Sequence, residues 1–104
     1  MSLEVHPQAQ GELREAAEWY EQQRPGLGDD FLAAVTSALE IVERHPRQSS
    51  IVPDAPPDRE IRRLLLRRFP YAVVYEMRGE EIFVLAIAHG RRRPGYWLHR
   101  NGGS

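Results

Sequence analysis

The sequence predicts an α+β fold in which an N-terminal strand and an antiparallel helical hairpin pack on one face of a small, mainly antiparallel β-sheet. Three observations carry that expectation. Apolar residues in the first half recur with the 3.6-residue period of helices, whereas those in the second half alternate with the two-residue period of strands. A Pro- and Gly-containing break divides the helical half in two. A segment with four prolines separates the two halves.

Leu3–His6 reads as a short strand, ended by Pro7. Over Gln8–Gln23, Leu13, Ala16, Ala17 and Tyr20 form one apolar stripe, with Glu12, Glu15, Glu18 and Glu21 mainly off it. Trp19 and Tyr20 are expected to pack the hairpin. Arg24-Pro25-Gly26-Leu27-Gly28 ends the helix. A second helix is predicted over Asp29–Arg44, with Asp29 and Asp30 complementing the positive end of its dipole. Phe31, Val35, Ala38, Leu39 and Val42 form its stripe, and Pro46 stops it. So short a connection favours antiparallel helices.

His45–Asp58 reads as an irregular loop. Strands follow at Glu60–Arg67, Pro70–Met77 and Ile82–Ala88, with Arg78–Glu81 as a hairpin turn. In the middle strand Tyr71, Val73, Tyr75 and Met77 share one face, and Ala72, Val74 and Glu76 the other. The last strand is apolar on both faces, as expected of a central strand covered on both sides. The helical hairpin covers one. Two readings stand for the other: the C-terminal tail folds back over it, or a partner chain supplies the cover.

The 104 residues are expected to form a single domain, 1–104, with its core at about 4–100 and the terminal Met1–Leu3 and Asn101–Ser104 outside the fold argument. No apolar run reaches the roughly 20 residues that span a bilayer, and no signal-peptide pattern opens the chain. The expected location is cytoplasmic, without membrane contact. The absence of cysteine excludes disulfides and thiolate chemistry. His6, His45, His89 and His99 show no metal-ligand spacing, so neither a metal nor a cofactor is expected. The net charge of −1 hides an asymmetry: residues 1–58 hold four arginines and eleven acids, residues 59–104 ten arginines and four acids. All fourteen basic side chains other than His are arginine. A GC-rich genome explains that bias, and guanidinium forks also suit phosphate and carboxylate recognition. Arg62, Arg63, Arg67 and Arg68 can equally pair with the acidic helices or bind a ligand.

Three stretches in this order resemble the RelE/ParE toxin superfamily. Glu12–Glu21 (ELREAAEWYE), Arg24–Gly28 and Phe31-Leu32 are similar to its helical hairpin. Ile61-Arg62-Arg63, Arg67–Tyr71 and Val74-Tyr75 are similar to its central sheet, and Ala86–Trp97 (AIAHGRRRPGYW) to its last strand and tail. The resemblance implies the toxin of a type II toxin–antitoxin pair, a class in which many members were first described as plasmid-stabilisation proteins. It also implies a cognate antitoxin that lays an extended or helical segment over the toxin, giving a hetero-oligomer.

That superfamily divides in activity. One branch cuts mRNA in the ribosome without a metal; another resembles inhibitors of DNA gyrase and need not be an enzyme. RNA cleavage requires a base, an acid and cations for the phosphorane, and the candidate catalytic residues for it are Arg67, His89, Arg92 and Tyr96. Arg92 matches one arginine of the cutting branch. That branch also has a catalytic arginine just after the first tyrosine of a Tyr-x-x-x-Tyr strand, where Tyr71–Tyr75 has Ala72. The gyrase-directed reading asks only for a gripping surface, and Arg91, Arg92, Arg93, Tyr96 and Trp97 are its expected target-binding residues, since Arg, Tyr and Trp are common interface anchors.

Overall fold

The computed structural model describes residues 2–100. Among these, β1 (Ser2–Val5) leads into α1 (Pro7–Gln23) and α2 (Leu27–Arg44). Then come β2 (Ser50–Ile51), β3 (Glu60–Leu65), β4 (Tyr71–Arg78) and β5 (Glu81–His89). The sheet order is β1-β5-β4-β3-β2. β1 runs parallel to β5 and the other neighbours are antiparallel. No helix of the described residues is long and apolar enough to cross a membrane.

Both helices begin earlier than the sequence pattern predicts. Pro7 takes the first helical position, where a missing N–H costs nothing, and the His6 Nδ1 accepts from the Gln8 N–H at 3.1 Å. α2 starts at Leu27 because Glu21 supplies its acceptor: the carboxylate takes the N–H groups of Gly26 (3.0 Å) and Gly28 (3.0 Å). These donors lack intrahelical partners, and a negative charge there suits the dipole. Gly28 also sits where the helices touch, since a Cβ there would lie 2.6 Å from the Ala17 carbonyl oxygen.

The hairpin buries Ala9 and Ala16 of α1 and Phe31, Val35, Ala38 and Val42 of α2 against one sheet face. From the sheet come Val73, Tyr75 and Met77 of β4, with Ile82, Val84 and Ile87 of β5. Tyr20 joins Phe31 and Phe69, with ring centroids 5.2 and 4.9 Å away. The buried Tyr75 hydroxyl is satisfied by the Pro46 carbonyl at 2.6 Å.

The opposite face carries a second core of Ile61, Val74, Leu85, Ala86 and Trp97. A register shift at Val74/Tyr75 leaves Leu85 without a partner on β4, as in a β-bulge. Leu85 and Ala86 therefore both reach the second core, while Ile87 returns to the helix side. Trp97 and Leu98 of the tail, with Val52 and Ala55 of the loop, cover this face. Of the two readings of the apolar strand, the folded-back tail is the one observed, and no partner chain is needed there. The loop read as irregular contains β2, a two-residue edge strand opposite Arg62 and Arg63. β3 stops at Leu65 rather than Arg67.

Candidate functional site

After β5 the chain turns at Gly90, whose N–H donates to the Pro70 carbonyl at 2.8 Å, and descends across the second face through successive tight turns. Gly95 makes one of them at φ +82°, a conformation that strains a residue with a Cβ. The turns deliver Trp97 into the second core, 4% exposed. They also bring Arg100 back to the edge of β5.

That edge needs closing. β1 pairs with β5 only as far as Val84, and His6 N–H adds a bond to the Val84 carbonyl. Beyond it, the Leu85 carbonyl and the Ile87 N–H face no strand. Arg100 donates to the Leu85 carbonyl at 2.9 Å, and Glu12 Oε1 accepts from the Ile87 N–H at 3.1 Å. The two side chains also pair with each other, at 3.0 and 3.1 Å. A Glu–Arg pair thus extends the sheet edge where β1 ends, satisfying backbone groups that burial would otherwise orphan.

A second clip holds the tail from the other side. Arg59 forms a bidentate pair with the buried Glu76 (2.8 and 3.0 Å) and donates to the carbonyls of Leu98 (2.6 Å) and Arg100 (3.1 Å). Such fork geometry gives orientation as well as attraction. Tyr96 completes the arrangement: its hydroxyl donates to Glu12 Oε2, and the Arg92 guanidinium lies 4.0 Å from its ring centroid. Burial, then the bond to Glu12, pushes the Tyr96 hydroxyl well above the ordinary tyrosine range.

His89, Arg92 and Tyr96 come together around a basin of about 320 Å³ between β3 and the tail. Arg93 stands on its rim, and Arg63 of β3 faces it from across the sheet. Ala72 and Val74 form its floor. His89 packs edge-on against Tyr71 at 4.9 Å, and its Nδ1 accepts from the Arg91 N–H at 3.0 Å. Arg91, Arg92 and Arg93 are all exposed. Arg67 does not join this group. It lines a separate groove of about 580 Å³ between α2 and β3, beside Ile41, Leu65 and Arg68. Trp97 is buried in the second core, where it serves packing, and only its edge reaches the basin.

The arginines of the second half divide in use. Arg68 reaches Asp30 of α2 at 3.7 Å, as the acidic helices allow. Arg62 turns instead to Glu60 (2.9 Å) and to the carbonyls of Arg47 and Ser49. Sequence reasoning missed Glu12, Arg59, Glu76 and Arg100. For Glu12 a signal existed: it lies three residues after Ala9 and four before Ala16, both buried, so it shares their helix face. Arg59, Glu76 and Arg100 carry no local signal, because their partners are distant in the chain. Among the described residues, no three His, Cys, Asp or Glu side chains gather as metal ligands.

The family model described as the ParE toxin of the type II toxin–antitoxin system parDE matches residues 3–94. A solved chain from the chromosomal ParDE TA system of P. aeruginosa shares the fold, with a TM-score of 0.72 at 22% identity over 86% of this chain and 95% of that one. No curated protein matches. With 92 consecutive residues covered by that model, from β1 to the turn of the tail, the chain belongs to the ParE toxin family of type II toxin–antitoxin systems.

Proposed function

We propose that this toxin acts in the cytoplasm by gripping DNA gyrase through its arginine-rich tail, and that it does not cut mRNA. The observation that carries this reading is the floor of the basin. Ala72 stands where cleavage would need a cation, and alanine offers neither charge nor proton. The groups around it are otherwise engaged. The Tyr96 hydroxyl is bound to Glu12, His89 Nδ1 is bound to a backbone N–H, and Arg67 belongs to another groove. What remains is a set of exposed guanidinium groups on a firmly held tail, which suits recognition better than acid–base chemistry.

The cognate antitoxin is assigned to the groove between α2 and β3. Ile41 is 48% exposed and Leu65 67%, and both line this groove as apolar surface that a partner helix or strand would bury. This replaces the second sheet face as the place for the partner, since the tail already occupies that face.

One experiment separates the target readings. The toxin is induced in cells without its antitoxin, and mRNA integrity and DNA supercoiling are followed together. Intact mRNA with DNA breaks and stalled replication is the expected result. Rapid cleavage of ribosome-bound mRNA would establish the nuclease reading instead. Arg92→Ala should reduce toxicity, and a fully toxic variant would remove Arg92 from the contact.

A further inference from the structure

We propose that the basin between β3 and the tail is a docking site for an acidic stretch of the target protein, which seats one apolar side chain on the floor and sets flanking carboxylates against Arg63, Arg92 and Arg93. The inference rests on the reading that the tail faces the target, and adds to it a residue from a different element and a ligand chemistry.

Charge comes first. Three arginines from two separate parts of the chain line one basin, and no carboxylate lines it with them. All three are exposed, and none joins an ion pair among the described residues, unlike Arg47, Arg59, Arg62 and Arg68. Guanidinium groups that no carboxylate pairs leave the basin electropositive, and an anionic occupant suits it. The floor is apolar, built from the buried Ala72 and Val74 with the edge of Trp97. Its volume, about 320 Å³, is at the small end for a binding cavity. That combination fits a buried apolar side chain between acids.

Nucleic acid fits less well. Single strands are held by bases stacked on free aromatic faces. Here the Tyr96 ring has Arg92 4.0 Å and Arg100 5.1 Å from its centroid, and Trp97 is buried. Phosphates would find the arginines, but these two rings offer the bases little free face. The basin is also preformed, because both clips on the tail hold one of its walls, which lowers the ordering cost of docking.

The test uses the full chain carrying Trp19→Phe, which leaves Trp97 as the one tryptophan and as a fluorescent reporter in the basin wall. It is titrated with a blocked peptide of one leucine between glutamates, the same peptide with lysines, and short oligothymidylate. The glutamate peptide should bind, with the lysine peptide at least about tenfold weaker. Arg63→Glu and Arg93→Glu should each weaken glutamate-peptide binding by a similar factor, and the double variant should prefer the lysine peptide. In cells, Arg63→Glu should lose toxicity and still bind antitoxin. Equal binding of the two peptides, no binding of either, or an unaffected Arg63→Glu overturns the basin. Tighter binding of oligothymidylate assigns the site to nucleic acid, and loss of antitoxin binding in Arg63→Glu assigns it to the antitoxin; both overturn the proposal. Arg63 lies outside the tail, so the two readings fail separately. A toxic Arg63→Glu beside an inactive Arg92→Ala leaves the tail reading standing and removes the basin. A fully toxic Arg92→Ala removes Arg92 from the target contact, while peptide affinity still reports on the basin.

Discussion

The hydroxyl of Tyr96 donates a 2.7 Å hydrogen bond to the carboxylate of Glu12, joining tail and first helix across 84 positions of sequence. The same carboxylate holds Arg100 and the Ile87 N–H. Four structural parts therefore meet on one side chain: α1, β5, the Tyr96 ring under Arg92, and the end of the tail.

Removing that carboxylate should be costly. Glu12→Ala leaves the 7%-exposed Arg100 side chain charged and unpaired, a change of about 3–5 kcal/mol by analogy with other broken buried pairs. Tyr96→Phe should cost about 2 kcal/mol, the range for a hydrogen bond to a charged group. Urea denaturation measures both, and the double variant should fall short of the sum because the two side chains share one network. Additive losses would mean that they act separately.

Trp97→Ala should destabilise the fold by about 3–5 kcal/mol, as truncation of a buried aromatic does. Thermal unfolding followed by circular dichroism checks it. A loss within about 0.5 kcal/mol, as for ordinary surface positions, would return Trp97 to the role of a target anchor.

Leu65→Asp should abolish antitoxin binding while leaving the toxin folded, because the side chain is exposed and the change removes apolar contact only in a complex. Calorimetric titration with purified antitoxin gives the affinity. Wild-type affinity in Leu65→Asp and in Ile41→Asp would move the antitoxin off this groove.

Alkali should unfold the protein early. Burial, chiefly, raises the hydroxyl pKa of Tyr20, Tyr71, Tyr75 and Tyr96 above the ordinary 10.0. Above pH 10.0 the unfolded chain sheds these protons while the folded chain keeps them. The unfolded state then binds fewer protons, so stability falls as pH rises from there through the raised values. Urea midpoints at about pH 8 and about pH 11 should differ accordingly. Tyr96→Phe should flatten the decline more than Tyr20→Phe, and a flat wild-type profile would contradict the shared shift.

Much of the fold was legible in the chain because its signals are local. The stripes of Phe31, Val35, Ala38 and Val42, and the alternation of Val73, Tyr75 and Met77, reflect the geometry of each element alone. The order of helical words and strand words was enough to point to the family. Helix starts were off by one residue at Pro7 and two at Leu27, because the cap at α2 comes from Glu21 on the preceding helix. The short β2 was missed, since two residues carry no period.

The candidate site was legible only in part. His89, Arg92 and Tyr96 were found because they sit within eight positions of one another, while Arg67 looked equally apt until the connection after β3 placed it at another groove. By itself, the sequence determined the element types, the antiparallel hairpin, the charge division and an apolar strand that needs cover on both faces. The tertiary structure decided what covers it, which arginines serve as clips and which stay exposed. It also decided that Glu12, on a helix, would finish the edge of β5. Periodicity describes how one segment presents its side chains. Which segments meet depends on long-range packing and on satisfying buried backbone groups, and Glu12, Leu85 and Arg100 become neighbours only when the whole chain has folded.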